Sequence, residues 1–336
     1  MPANTHSTIA VLGAGAWGTA LALLLARNGA RVRLWGHEPP HMEELAQRRE
    51  NVRFLPDFPF PETLQPVAVL EEALAGTDEV LIAVPSCGFR ETLQRALPCL
   101  PPDRGLCWAT KGLEPGGGRL LHEVAVALAG GERPLAVISG PTFAREVAAR
   151  LPTAVTVAGK PAAFARRWGA LLHNDRFRAY TCDDLVGVQV GGAVKNVLAV
   201  AAGIADGLGF GANTRAALIT RGLAEITRLG VALGGRRETF MGLAGLGDLV
   251  LTCTDDQSRN RRLGLALARH AHLAQALAAI DQVVEGVQTS REVMTLARKH
   301  GVEMPIAEQV YRVLHEGLSP QAAVDALLQR EQRSEY

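Results

Sequence analysis

Through its first half this chain alternates short apolar, β-branched runs with segments of helical period, and that order leaves few folds open. Strands are expected at 8–12, 31–35, 79–84, 105–110, 135–139 and 153–158. Helices are expected between them at 16–28, 89–97, 118–128, 142–149 and 162–173. Strands separated by helices pair in parallel, so the pattern implies an α/β architecture whose mostly parallel sheet is covered by helices on both faces. A proline-rich stretch, 55–66, interrupts the order and is expected to be a surface loop. From about Asp183 the strand signal stops. Segments 185–205, 214–233, 260–269, 290–300, 306–316 and 321–329 are helical by period and by punctuation. Thr289 with Glu292 reads as a capping box, and Gly301 stands where a C-terminal cap belongs. Ser319-Pro320 reads as an N-cap followed by proline at the first helical position. The switch divides the chain into an α/β domain over 1–185 and an all-α domain over 186–336.

The length, 336 residues, exceeds what one growing core accommodates and agrees with two domains. A net charge of +1 provides no global field for nucleic acid or an anionic membrane, so any anion must be met locally. The five cysteines form no Cys-x-x-Cys pair or Cys/His cluster, which argues against structural zinc and disulfides and suits a reducing cytoplasm. No charged-then-apolar leader is expected, since the first seven residues are polar and a strand is expected at once. Apolar runs are expected to stop short of a membrane span, since even 185–205 carries Gln189, Lys195 and Asn196. A cytoplasmic protein with no membrane span and no nucleic-acid partner is the expectation, with a homodimer as the default assembly.

Directly after the first expected strand comes Gly13-Ala-Gly15-Ala16-Trp17-Gly18, a G-x-G-x-x-G that opens a helix. Gly13 permits the tight turn, Gly15 lets a pyrophosphate approach the backbone, and Gly18 lets helix pack on sheet. The helix N-terminus then offers unpaired N–H groups and a positive dipole end. In this context the motif predicts a Rossmann-type dinucleotide site. The second strand ends at Gly36-His37-Glu38, without an acid at its tip, which leaves room for the 2′-phosphate of NADP(H) while tolerating NAD(H). His37 is placed to contact that phosphate, or is a solvated turn residue.

Only four of the 35 Lys+Arg residues are lysine, at 111, 160, 195 and 299. Arginine stays charged, whereas a buried ammonium can give up a proton, so the sparing use of lysine draws attention to those positions. Lys160 and Lys299 stand in polar, turn-like surroundings and are expected at the surface. Lys195 lies in an apolar helix beside Gly191 and Gly192, where desolvation disfavours its charge and close approach of another segment is implied. It is a candidate proton donor for a carbonyl reduced by hydride transfer, against the alternative of a snorkelling surface lysine. Lys111, and the segment Ser139-Gly140-Pro141-Thr142-Phe143-Ala144, follow strands, at the carboxyl ends where open α/β sheets bind ligands. Asp248 in a glycine-rich apolar bend is suited to orient the Lys195 ammonium. Ser258, Arg259 and Asn260 open a helix, so a hydroxyl, a guanidinium, an amide and backbone N–H groups can meet one phosphate.

At these residues the chain closely resembles the bacterial NAD(P)-dependent sn-glycerol-3-phosphate dehydrogenase family. The likeness rests on Gly192-Ala-Val-Lys195-Asn196-Val-Leu-Ala199, Asp206-Gly207 and Gly211-Ala-Asn213. It extends through Trp108-Ala-Thr-Lys111-Gly, Ile138 to Ala144, Gly245-Leu-Gly-Asp248, Ser258-Arg-Asn260 and Val283-Val-Glu285-Gly286. The resemblance implies reversible reduction of dihydroxyacetone phosphate to sn-glycerol 3-phosphate, a phospholipid precursor. It implies Lys195 as proton donor and acceptor, with Lys111, Gly140, Thr142, Lys195, Asp248, Ser258, Arg259 and Asn260 on the substrate. It implies Ala16, Trp17, His37, Lys111, Ala144, Arg259, Val283 and Glu285 on the cofactor. Relatives often carry serine at position 16, so Ala16 offers only its backbone N–H.

Two other readings fit parts of the chain. A 3-hydroxyacid or 6-phosphogluconate type dehydrogenase would place an asparagine three or four residues after the lysine, where Leu198 and Ala199 stand. A non-catalytic dinucleotide-sensing regulator leaves Lys195, Asp248 and the Ser258–Asn260 turn without a purpose.

Overall fold

A computed structural model describes residues 7–269, 273–280 and 283–331. Two compact units divide the chain: Met1–Glu114 with Arg119–Gln189, and Pro115–Gly118 with Val190–Tyr336.

The first unit runs β1 (Thr8–Leu12), α1 (Ala16–Arg27), β2 (Arg31–Trp35), α2 (Pro39–Arg48), β3 (Leu64–Val67), α3 (Leu70–Leu74), β4 (Glu79–Ile82) and α4 (Ser86–Ala96). It continues with β5 (Leu106–Trp108), α5 (Leu121–Ala129), β6 (Leu135–Ser139), α6 (Ala144–Ala148), β7 (Thr153–Lys160), α7 (Ala162–Leu172) and β8 (Phe177–Cys182). The eight strands form one sheet in the order β3-β2-β1-β4-β5-β6-β7-β8. All neighbours are parallel except β6 and β7, where Leu135 pairs with Lys160 and Ser139 with Thr156. The order reverses between β1 and β4, and the chain just beyond the carboxyl ends of those strands is where such a sheet takes its ligand. Ile9–Leu12 of β1, the fully buried β4 and the apolar length of α1 supply the centre of this core, and Trp168 of α7 packs into the same cluster as α1.

Two strands lie where none was expected. β3 overlaps the end of the 55–66 stretch read as a loop, because Pro66 is tolerated at the sheet's edge, where no neighbour needs its N–H. β8, Phe-Arg-Ala-Tyr-Thr-Cys, is the opposite edge; only Phe177 of its six residues is buried, so its apolar alternation is too weak to show.

The second unit is helical: most of α8 (Leu185–Gly207), then α9 (Ala212–Ala232), α10 (Arg237–Phe240), a π-helical turn at Leu243–Gly247, α11 (Asp248–Thr254), α12 (Arg259–Leu267), α13 (Leu273–Ala278), α14 (Glu285–Lys299), α15 (Pro305–His315) and α16 (Pro320–Leu328). Contrary to expectation, α8 is unbroken over 23 residues and is long and apolar enough to cross a membrane. Its apolarity is explained by burial, since 94% of its most apolar window is covered by protein. Small residues let α12 press against it: a Cβ on Gly203 would lie 2.0 Å from the Arg261 carbonyl oxygen, and one on Gly264 2.2 Å from that of Val200.

The end signals resolve in both directions. Ser319 accepts from Ala322 N as an N-cap. Gly301 takes φ 64° while Val302 N bonds Ala297 O and Gly301 N bonds Arg298 O, a complete Schellman closure. The expected capping box at Thr289 does not form. α14 begins four residues earlier, Thr289 is buried inside it, and Glu292 instead accepts from Gly116 N at 2.9 Å and from Gln288 Nε2.

Glu225 on α9 is 2% exposed and accepts the amides of Ile306 and Ala307 at the start of α15. Burial pushes its carboxyl up to about 7 against those two donors, and burial likewise pushes Glu79, beside Arg167, up to about 7. Below the ordinary carboxylate range both folded and unfolded chains are protonated and the contribution is fully present. As pH rises through 7 the unfolded chain has already ionised while the folded chain must bury a charge, so stability falls. Urea unfolding between pH 5 and 8 should show this decline, and Glu225→Gln should flatten it by up to about 3 kcal/mol. An equal slope in the variant would place the titration elsewhere.

Candidate functional site

In the first unit the glycine turn is shaped by two close approaches and one open side. Gly13 leaves β1 at φ 127°, and a Cβ there would lie 2.6 Å from the Ala83 carbonyl oxygen beyond β4. A Cβ on Gly18 would lie 1.9 Å from Gly13 O, so α1 folds back onto the turn only without one. Gly15 has nothing within 4 Å on that side, which leaves its backbone open to a ligand. Asn51, fully buried, fastens the turn from outside: its Nδ2 donates to Ala14 O at 2.9 Å and to Thr19 Oγ1 at 2.8 Å. The first amides of α1, at Ala16 and Trp17, carry the helix's positive end. Trp17 Nε1 is buried with no hydrogen-bond partner. Open backbone at Gly15, unpaired helix amides and an orphaned indole N–H fit a dinucleotide pyrophosphate. His37, just past β2, is 78% exposed in its side chain and stands 3.9 Å from Glu38.

Beyond β5 and β6, three expected residues meet at one atom. Lys111 Nζ donates to Gly140 O at 3.1 Å, and Thr142 Oγ1 donates to the same oxygen at 3.2 Å. The helix expected to open at Thr142 begins at Ala144 and has five residues.

In the second unit Lys195 is 6% exposed and Asp248 is wholly buried. The Lys195 ammonium donates to Asp248 Oδ1 and, at 2.8 Å, to Thr252 Oγ1, which in turn donates to the Asp248 carbonyl oxygen at 2.6 Å. Glycine brings this about. A Cβ on Gly191 would lie 2.5 Å from Ala244 O, and one on Gly245 would lie 2.1 Å from Phe240 O. What approaches α8 at Gly191 is therefore the π-helical turn. Lys195 stands one helical turn beyond Gly191 and Asp248 one turn beyond Ala244, so contact at the glycines sets the two charges face to face. Thr252 was not anticipated; its signal was its place four residues after Asp248 on the same helical face.

Ser258 is the N-cap of α12, its Oγ accepting from Arg261 N at 3.2 Å, while Arg259 is exposed. The Asn260 side chain is tied into the fold. Its Nδ2 donates to Asn196 Oδ1 and its Oδ1 accepts from Gly286 N, each at 2.9 Å. Each partner is the chain neighbour of another expected residue, so this one side chain registers Lys195, Arg259 and Glu285 together. Glu285 is the first residue of α14, and Val283, 59% exposed, precedes its N-cap. Below α12, buried Arg261 is balanced by Asp206 at 2.7 Å and by Asp256, and Arg215 also grips Asp206.

A glycine phosphate turn on a mostly parallel sheet, with a buried Lys–Asp pair in a helical unit, defines a dinucleotide-dependent oxidoreductase. Residues 8–165 match the family described as NAD-dependent glycerol-3-phosphate dehydrogenase N-terminus, and residues 184–325 match its C-terminus. The chain belongs to this glycerol-3-phosphate dehydrogenase family. It is 60% identical over 326 residues to glycerol-3-phosphate dehydrogenase [NAD(P)+] of Nitrosococcus oceani, covering 97% of this chain and 95% of that one. The crystal structure of glycerol-3-phosphate dehydrogenase from Coxiella burnetii is similar at TM-score 0.94 and 52% identity, over 97% of this chain and all of that one. The enzyme from Saccharomyces cerevisiae is similar at TM-score 0.81 and 25% identity, over 95% and 98% of the two chains.

Gly191→Ala should force α8 off the π-helical turn. A loss of about 1–3 kcal/mol in chemical unfolding is expected, as for an overpacked contact, with Lys195 and Asp248 displaced. Unchanged stability would mean that the glycine contact does not hold them in place.

Proposed function

We propose that this enzyme interconverts dihydroxyacetone phosphate and sn-glycerol 3-phosphate with NADP(H) or NAD(H). The observation that carries the mechanism is the buried Lys195 ammonium held between Asp248 and Thr252. When bound, the reduced nicotinamide supplies a hydride to the carbonyl carbon. Negative charge then develops on the carbonyl oxygen. Lys195 faces that oxygen as a cation and passes it one proton, completing the alcohol and leaving a neutral amine. Asp248 orients the amine and favours its charged form until the proton moves, and solvent later restores the proton. In the reverse direction the neutral amine takes the hydroxyl proton.

Arg259, the first-turn amides of α12 and the Ser258 cap form the grip for the substrate phosphate, where guanidinium and helix N-terminus act together. Lys111, with Gly140 and Thr142, forms a second cationic contact for substrate and cofactor. Ala16, Trp17 and Gly15 hold the pyrophosphate, while Ala144, Val283, Glu285 and Arg259 belong to the cofactor's remaining contacts. The Asn260 side chain, bonded to Asn196 and Gly286, acts chiefly by fixing these positions. The same reading makes the enzyme a cytoplasmic supplier of glycerol phosphate for phospholipids, supported by its family. A homodimer goes with it, which light scattering on the purified protein tests.

Initial rates with dihydroxyacetone phosphate, followed as loss of reduced-nicotinamide absorbance with NADPH and with NADH, test the reaction directly. No rate with either would overturn it. Lys195→Ala should keep nucleotide affinity but lose turnover by about 100-fold or more, the scale of a missing general acid. Full turnover would remove Lys195 from the mechanism. Arg259→Ala should raise the KM for dihydroxyacetone phosphate about 10- to 100-fold, the worth of one charge-assisted phosphate contact. An unaltered KM would put the phosphate elsewhere.

A further inference from the structure

At the tip of β2 the charges are arranged in a way that bears on which dinucleotide the enzyme takes. Glu38, two residues beyond Gly36, is the acid nearest the position where a carboxylate engages the adenosine ribose and repels a 2′-phosphate. It does not stand alone. Arg53 Nη1 donates to Glu38 Oε2 at 2.9 Å, and His37 Nε2 lies 3.9 Å from Glu38 Oε1. The guanidinium also lies over the Phe54 ring, 4.7 Å from its centroid, and that ring packs edge-on against His41. Arg53 is thus held in place by a carboxylate and an aromatic ring, while its side chain remains 53% exposed.

The loop that carries Arg53 is fastened to the phosphate turn itself. Asn51, two residues earlier, is the buried side chain that donates to the Ala14 carbonyl within G-x-G, and Asn51 also bridges to Leu55. The Asn51 anchor and the Glu38 contact place one exposed guanidinium beside the end of β2 at a fixed distance from the turn. A guanidinium has five N–H donors and only one is given to Glu38, so it presents a planar fork to a dianion. Glu38, meanwhile, is held ionised below the usual carboxylate range by its hydrogen bond to Arg53, and its charge is offset where it would otherwise repel phosphate.

Building on the dinucleotide site proposed above, we propose that Arg53, braced by Glu38 and Phe54, recognises the 2′-phosphate of NADP(H) and determines the preference between the two cofactors. His37 flanks the same phosphate. Without the phosphate, Arg53 stays on Glu38 and the site accepts the unmodified ribose, so both dinucleotides are admitted on one surface.

Calorimetric titration with 2′,5′-ADP and with 5′-AMP separates recognition of the 2′-phosphate from everything else in the reaction. Arg53→Ala and Arg53→Gln should weaken 2′,5′-ADP about 10-fold or more while 5′-AMP binding stays within about two-fold. Arg53→Lys, which keeps the charge but not the fork, should fall between. Higher salt should narrow the gap between the two nucleotides for the unaltered protein and leave the alanine variant nearly insensitive. Unchanged 2′,5′-ADP affinity in the variants, or equal losses for both nucleotides, would overturn the assignment. Failure of the unaltered protein to bind either nucleotide would overturn the dinucleotide reading itself, and Arg53 with it.

Discussion

The helical unit depends on one buried ion pair, Lys195 with Asp248. Removing an ammonium and a carboxylate from water is unfavourable by several kcal/mol for each ion, and their attraction offsets this only with good geometry and further hydrogen bonds. Thr252 supplies one such bond, and Gly191 and Gly245 let two backbones come close enough for the geometry. An apolar pair of similar volume would serve stability as well or better. The charged pair therefore suits the proton transfer proposed for it, which an arginine in the same place could not perform.

Everything around the pair holds it in register. The π-helical turn is wider than an α-helical one and directs Asp248 towards α8. Asn260 locks the starts of α12 and α14 to α8 with one amide, and Asp206 neutralises Arg261 beneath the first turn of α12. Without that neutralisation a second buried cation would sit at a positive helix end. In the first unit Asn51 plays the comparable part, joining the glycine turn to the loop of Arg53. The apolarity of α8 belongs to the same scheme: a helix packed on its partners through glycines must be buried on nearly all sides, and composition alone cannot tell this from a membrane span.

Much of this was legible in one dimension. The βα alternation gave a mostly parallel sheet because local period survives folding, and G-x-G-x-x-G gave the turn because the positive φ of Gly13 and the packing of Gly18 on Gly13 are demands set within six residues. The two edge strands escaped notice for a common reason. An edge strand needs neither a full apolar face nor every N–H, so β3 keeps its Pro66 and β8 its exposed residues. Thr289 and Glu292 show the opposite failure. They carry the letters of a capping box, yet Glu292 bonds Gly116, far away in sequence.

By itself the sequence determined the two-part architecture, the phosphate turn, and lysine rather than arginine at 195, since these follow from period, backbone sterics and the chemistry of one side chain. Tertiary structure alone decided that Gly191 meets Ala244, that Thr252 completes the lysine's partners, that Asn260 ties three helices and that Arg53 joins Glu38 beside the turn. The physical reason is range. A turn or a helix end is chosen within a few residues, whereas a hydrogen bond or ion pair between distant segments exists only once packing has brought its partners within about 3 Å.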